Sequence, residues 1–548
     1  MVEDWIAVIK HRNSLLSHFM YTICNRQTLS SSSIYRPAKL TPKFADATPD
    51  MHHEPQRHFS RGLGLFDSIM LVIGAMIGSG IFIVPAEMAR EIGSAGWLLI
   101  AWVLAGALTV AGALCYGELS SMMPHAGGMY VYLREAYSPL WGFLYGWTLF
   151  SVIETGTIAA VSVAFARFTG VLWPGIAEDK YLIPPVHLST RYAASLSTAQ
   201  LLAVAVIAFL TLSNTLGLRY GKFIQNVFTV AKTGALSMLI LLGLLLGRNA
   251  AAIHTNFSHP WSTSTFHPAT LAMTALFGLF VAICLSQTGS LFSADSWHNI
   301  AFAAGEVKRP ERNVTRAMVI GTIIVITLYL LANLSYLVTL PFEAIQHAPA
   351  DRVGTATLRA IFPQIGPIAM AAAIMISTFG TINALTLTGA RVYYAMAREK
   401  LFFPFAGQLN AANVPASALI LQGVWAACLV LPRTYDPATQ VWGNLYNSLL
   451  EYVISAALIF YILTVAGVIR LRITRPDASR PYRTPGYPVI AIVYIGLAGT
   501  IIATLFAYRP ATTWPGLLIV ILGVPIYFGL RHASDRQRVR ELPSSETD

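Results

Sequence analysis

Charge is scarce in this chain: only 11% of its 548 residues are Asp, Glu, Lys or Arg, and 55% are hydrophobic. Soluble domains carry roughly a quarter charged residues, so the composition excludes an ordinary soluble globule. Cysteine is scarcer still. Cys24, Cys115, Cys284 and Cys428 are widely spaced, three of them within or at the edges of apolar runs, so no disulfide framework and no metal-ligand spacing is written here. Catalytic strings of the GxSxG, HExxH and P-loop kind are missing as well. Ala126-Gly127-Gly128 reads as a loop turn, since no Lys-Ser/Thr comes after it to make a phosphate cradle. Nothing points to an enzyme or to a cofactor.

Long apolar runs are present instead, at about 64–88, 96–122, 139–172, 199–216, 223–247, 269–301, 316–340, 365–396, 415–432, 440–469, 487–508 and 513–530. At about 1.5 Å per helical residue, each is long enough for a hydrocarbon core of about 30 Å. The expectation is an all-α membrane protein of twelve spans embedded in a lipid bilayer. The net charge of +11 is split among loops, which argues against a nucleic-acid face. With the N-terminus inside, the inner connections carry residues such as Lys308, Arg309, Arg391, Arg470, Arg472, Arg475, Arg480 and Arg483. The outer ones are poorer in base. That bias places both termini in the cytoplasm. Residues 1–61 are polar, with a run at Ser30–Ser33 and a histidine cluster (His52, His53, His58) that reads as solvated rather than metal-binding. They lack the apolar core and cleavage site of a secretory signal. A mobile tail is expected, with Met51 as a rival start to Met1.

Two of the runs are interrupted. Gly74–Phe82 reads GAMIGSGIF, and glycine is unfavourable inside a helix but permissive for broken backbone. Gly78, Ser79 and Gly80 therefore predict a span that unwinds halfway across the bilayer. In the sixth run, Leu291–Trp297 reads LFSADSW, small and polar residues around a carboxylate that translocon scales disfavour by about 2.5–3.5 kcal/mol at a helix centre. Broken helices in corresponding positions of two halves point to a transporter with its site at the midplane. The half-helix starting near Gly80 offers N–H groups suited to a carboxylate, and the ends near Met76–Gly78 and Phe292–Ala294 offer carbonyls suited to an ammonium. An α-amino acid matches both. The competing reading of the glycines is close helix packing.

Charged groups within runs include, besides Asp295, Lys232, Glu154 and Arg167. Lys232 is about ten residues into the fifth, where an ionisable residue is a functional candidate. Glu154 is in the third, as a cation partner, a proton relay or a quiet neutral acid. Arg167 is close enough to the outer end to snorkel. Glu118, Asp67 and Glu451 read as solvated or capping groups, and Trp297 and Tyr130 as interfacial anchors or packing elements.

GAMIGSGIF and the string at Tyr116–Trp147 resemble the amino acid–polyamine–organocation superfamily, L-type amino acid transporters and their bacterial relatives above all. So do FIQNVFTVAK at Phe223–Lys232, GEVKRPERN at Gly305–Asn313, the string at Ser377–Phe403 and RPYRTPGYP at Arg480–Pro488. The resemblance implies the LeuT fold: a 5+5 inverted repeat (62–247 and 248–470), two further helices (471–531) and a cytoplasmic tail (532–548). It also implies a sodium-independent carrier of amino acids, neutral ones first, by exchange or proton coupling. Alternatives are a cationic amino acid or amine permease and a non-transporting amino acid sensor. The family's binding segment falls on Met76, Ile77, Gly78, Ser79 and Gly80, its outer aromatic gate on Phe292, and its second unwound segment on Ser293, Ala294 and Asp295. Ala294 stands where relatives commonly have tyrosine, and Ser296 where they have glycine. Lys232 resembles a stand-in for a sodium ion between spans one, five and eight, with Ser377 and Thr378 as partners. Eukaryotic relatives join a glycoprotein heavy chain through a cysteine after span three. Residues 174–198 have none, so no disulfide-linked partner is expected, and a stand-alone protein of a bacterial inner membrane is.

Overall fold

The computed structural model describes residues 61–188, 192–263, 273–436, 441–442 and 445–541. The polar N-terminal tail with its serine run, histidine cluster and rival start site lies outside the described residues.

The first apolar run forms α1 (Leu65–Met76) and α2 (Gly80–Ile92), bent by 41° at the break between them. Asp67 caps α1, its Oδ2 accepting from Gly64 N at 2.9 Å, which satisfies one of the orphan donors of the first turn. Nine more helices long enough and apolar enough to span a membrane come next, separately or after short elements: α3 (Ala95–Met122), α4 (Pro139–Leu172), α5 (Thr198–Thr215), α6 (Leu218–Leu245), α7 (Met273–Ser293), α8 (Pro310–Thr339) and α9 (Gly366–Arg398), and then, after the shorter α10 (Ala416–Leu429), α11 (Leu445–Thr474) and α12 (Val489–Tyr508). α13 (Pro510–Glu541) is the tenth. Among the described residues, then, ten helices pass for spans, or eleven with the bent pair, and α10 at 14 residues falls short. The protein is a mostly helical, multi-pass membrane protein.

Several expectations need correcting. The chain is not all-α: a four-stranded antiparallel sheet orders β1 (Tyr181–His187), β2 (Tyr192–Ser197), β3 (Pro432–Asp436) and β4 (Val441–Trp442) in sequence. It ties the connection after α4 to the one after α10. β1 is an edge strand, where Pro184 and Pro185 are tolerated. β2 alternates in burial using alanine and serine, so it lacks the β-branched signature that marks a strand. The sixth run is helical only to Ser293. Beyond that point the chain makes two single 3₁₀ turns, Asn299–Ala301 and Ala304–Glu306, rather than a second α half-helix. The last helix continues to Glu541, past the expected start of the tail at 532.

Helices of the first half pack on helices of the second: α2 on α7, α3 on α8, α4 on α9 and α5 on α10. A backbone strap fixes the entry to α1, with Leu63 N donating to Glu306 O at 3.0 Å and Lys308 N to Leu63 O at 2.8 Å. Below it Arg391 and Glu306 form a fully buried ion pair, with Nε and Nη2 at 3.0 and 2.8 Å from Oε1. Glu118 is not solvated. It is buried, held by Arg472 through Nε and Nη2 at 2.8 and 2.6 Å and by Thr484 N at 2.8 Å. Glu451 pairs with Arg509 at 2.5 Å, and Arg167 with Glu178 at 2.8 Å.

Candidate functional site

The first break is narrow. Ile77 is extended (φ −74°, ψ 91°), Ser79 is already back in the helical region (φ −80°, ψ −23°), and α2 starts at Gly80. The second is wide. Ala294 N still reaches Ser290 O at 3.0 Å, Asp295 N tightens to Phe292 O at 3.2 Å, and Ser296 turns left-handed at φ +68°. The two breaks touch. A Cβ added at Gly80 would lie 2.3 Å from Ser293 Oγ and 3.0 Å from Ser293 Cα, so only glycine permits this approach. Close packing is thus one duty of Gly80, alongside the interruption.

Met76, Ile77, Gly78, Ser79, Gly80, Phe292, Ser293, Ala294 and Asp295 are all buried. The structure therefore brings both segments into one interior region beside α8 and α9. Ser377 Oγ donates to Ile77 O at 3.0 Å, with Gly78 O at 3.3 Å. Thr381 Oγ1 lies 2.8 Å from Ile77 O. Lys232, 1% exposed on α6, reaches across to Gly74 O, to Thr381 Oγ1 at 2.9 Å and to Ser377 O at 3.4 Å. An ammonium with three donors is matched here by oxygens from two other helices. Thr378 is not among them. Its hydroxyl is spent on Ile374 O and Met375 O of its own helix at 2.8 and 3.1 Å, because it faces back along α9 while Thr381, one turn beyond Ser377, faces the break.

Glu154 lies apart from this cluster. It comes directly after a π-helical turn, Leu149–Ile153, a distortion that often accompanies functional positions. Its Oε1 accepts from Asn299 Nδ2 at 3.3 Å and Thr388 Oγ1 at 3.4 Å. Asp295 accepts from Tyr461 OH at 2.5 Å. Among the described residues neither carboxylate has a cationic partner. Asp295 instead borders a small hollow with Trp297, Tyr461, Tyr494, Thr109 and Leu108. Trp297 and Tyr130 are buried packing elements rather than interfacial anchors. The indole sits edge-on to Tyr116 at 4.7 Å, and Tyr130 OH donates to Glu399 at 2.6 Å.

Sequence reasoning missed Thr381, Asn299, Tyr461 and Tyr329. Tyr329 OH lies 2.8 Å from Met76 O and 2.9 Å from Ser293 O. The only signal available was spacing, Thr381 at i+4 from Ser377 and Tyr329 at i−7 from Tyr336, whose hydroxyl reaches Ile81 O at 3.2 Å.

Two interrupted helices meeting in a membrane-embedded bundle, lined by backbone oxygens and hydroxyls, define a carrier rather than an enzyme. A family model for amino acid permeases matches residues 63–528, and the chain belongs to that family. It is 29% identical to the human b(0,+)-type amino acid transporter 1 over 86% of this chain and 88% of the relative. It is 28% identical to the Bacillus subtilis serine/threonine exchanger SteT over 87% of this chain and 99% of the relative, and 28% identical to the mouse Asc-type amino acid transporter 1 over 85% and 80%.

Proposed function

We propose that this protein is a sodium-independent secondary carrier of amino acids, working by alternating access as an exchanger or with proton coupling. One observation carries the reading: the broken ends at Met76–Gly80 and Phe292–Asp295 converge, with Gly80 against Ser293. The N–H groups opening α2 are suited to a substrate carboxylate, and the carbonyls closing α1 and α7 to its ammonium. Lys232 supports sodium independence, since its ammonium fills a nest of oxygens between α1, α6 and α9 that would otherwise suit a cation. The LeuT-type fold of twelve spans with a 5+5 inverted repeat is supported by the packing of each of α2–α5 on its counterpart among α7–α10. The positive-inside bias supports cytoplasmic termini, and an amino acid exchanger of Bacillus subtilis among the relatives supports a bacterial cell membrane. The cysteine-free connection after α4 supports a subunit that works without a disulfide-linked partner.

A second reading has its own observation. Asp295 is buried beside aromatic faces with no protein cation among the described residues to neutralise it. A cationic amino acid or amine would supply that charge, through the carboxylate and through cation–π contact. Purified full-length protein in proteoliposomes decides between the readings. Radiolabelled uptake is measured against each amino acid inside, across pH, with and without sodium. Trans-stimulated, sodium-indifferent uptake of neutral amino acids is expected. Preference for arginine, lysine or amines favours the second reading. Binding without flux marks a sensor, and sodium dependence overturns the role given to Lys232.

A further inference from the structure

α12 ends at Tyr508 and α13 begins at Pro510, so Arg509 alone forms the corner between them. Its backbone is held from both sides: Arg509 N donates to Leu505 O at 2.8 Å, and Thr513 N donates to Arg509 O at 3.1 Å. From this fixed corner the guanidinium forks to two helices. Nη1 meets Glu451 near the start of α11, and Nη2 meets Glu91 near the end of α2. A hollow beside the fork is bordered by α2, α7 and α11 through Glu87, Glu91, Ser286, Gly289 and Glu451. Toward the breaks the two half-helices shut on each other, since a Cβ added at Gly289 would lie 2.3 Å from Val84 Cγ1. Glu87 precedes Glu91 by one helical turn, so both carboxylates share one face of α2.

We propose that Arg509 is the outer latch of the carrier, a positioning residue that ties α2 to α11 while the outer side is shut. It acts from the corner between the last two helices, outside both halves that carry the breaks. This rests on the reading of alternating access with cytoplasmic termini, which puts Glu91, Glu451 and Arg509 on the outer side. Glu91 and Glu451 each attract the guanidinium and repel one another, and Glu87 adds a third carboxylate to the α2 face. With the guanidinium between them the two faces are drawn together. Once it leaves, the same carboxylates push the faces apart, and water entering the hollow solvates them. The latch is therefore bistable: one cation decides whether the cluster closes or opens. It is also weak enough to be crossed in every cycle, because the Arg509 side chain is 34% exposed and half-exposed ion pairs are screened by solvent.

The test uses the full chain in right-side-out and inside-out membrane vesicles, with two readouts. The first is the rate at which a membrane-impermeant thiosulfonate, added outside, labels Ser286→Cys in the hollow, with Cys24, Cys115, Cys284 and Cys428 replaced by alanine. The second is the half-saturation concentration for exchange of a tritiated mixture of L-amino acids, measured from each side. Arg509→Ala should speed labelling roughly three- to ten-fold. A shift in population toward the outward-open form must also move the two half-saturations in opposite directions, lower from outside and higher from inside. Arg509→Lys keeps the charge but cannot fork to two carboxylates, so it should fall between wild type and Arg509→Ala; it carries the test if the alanine variant does not fold. Adding Glu91→Gln and Glu451→Gln to Arg509→Ala removes the repulsion and should bring both readouts back toward wild type. Glu178→Gln is the control, because it breaks outer-side pairs with Arg167 and Arg433 that touch neither α2 nor α11, and it should change neither readout. Unchanged labelling in Arg509→Ala, half-saturations that move together, or a triple variant no closer to wild type would each make Arg509 a plain strut and overturn the proposal. Wild type without flux would overturn the carrier reading beneath it, while the labelling rates would still decide the latch.

Discussion

The two interruptions differ in kind. In the first run the helix is lost for three residues and resumes as α2, whose axis is turned by 41°. In the sixth it is lost at Ala294 and no α-helix resumes until Pro310, with only two 3₁₀ turns between. The first break is cross-linked from outside by Ser377, Thr381 and Lys232. The second has a hydroxyl at its carbonyl end, Tyr329, and another at Asp295, Tyr461. A narrow break held on several sides can present fixed N–H and C=O groups. A wide one, whose turns have poorer hydrogen-bond geometry, is the more deformable half of the site. The proposed alternating access would use both: one rigid jaw to recognise the zwitterion and one segment that can rearrange.

The sharpest way to break that contrast is to release the rigid jaw. Lys232→Ala should reduce uptake to background while membrane expression persists, since removing an ammonium from the interior also removes its burial penalty. Normal uptake would refute the role. Gly80→Ala forces a Cβ against Ser293 Cα, a backbone atom that cannot swing aside. Overpacking of this sort costs about 1–3 kcal/mol, and uptake should fall roughly ten- to a hundred-fold. The threonines sharpen the picture. Thr381→Val removes a donor to Ile77 O and an acceptor for Lys232 and should lower uptake roughly ten-fold, about the worth of a hydrogen bond to a charged group. Thr378→Val should change it less than about two-fold, because it frees only oxygens of its own helix. Equal effects would show that the cross-links do not hold the jaw. The smallest effect falls on the deformable side. Ser296 holds φ +68°, a conformation that costs a non-glycine residue about 1–2 kcal/mol. Ser296→Gly should therefore raise thermal stability by about 0.5–1 kcal/mol, glycine's larger unfolded-state entropy offsetting the rest. Measurement is by thermal shift of the purified protein.

Both breaks were legible in the sequence because glycine, serine and aspartate are costly where they stand, and a costly residue in an apolar run announces itself. Lys232 was legible for the same reason. The failure of an α-helix to resume after Ser293 was not, because Ile300–Ala304 is apolar enough to extend a helix that the backbone has already left. Thr381, Tyr329 and Tyr461 were not, since hydroxyl residues are common in membrane helices and only the fold reveals which carbonyl each one meets. Glu118 was misjudged because its partner Arg472 lies 354 residues away. The sheet stayed hidden because β2, YAASLS, is mostly alanine and serine, which alternate in burial without looking like a strand.

Two helix interruptions are proposed to grip one zwitterion jointly. A high-resolution map of the full chain in lipid nanodiscs, with the best counter-substrate bound, addresses it most directly. The substrate carboxylate should lie at the N–H groups from Gly78 to Gly80 and its ammonium between the carbonyls of Met76 and Ser293, with the Tyr329 hydroxyl displaced from one of them. Substrate density seated elsewhere, with these carbonyls still facing the Tyr329 hydroxyl, would rule it out.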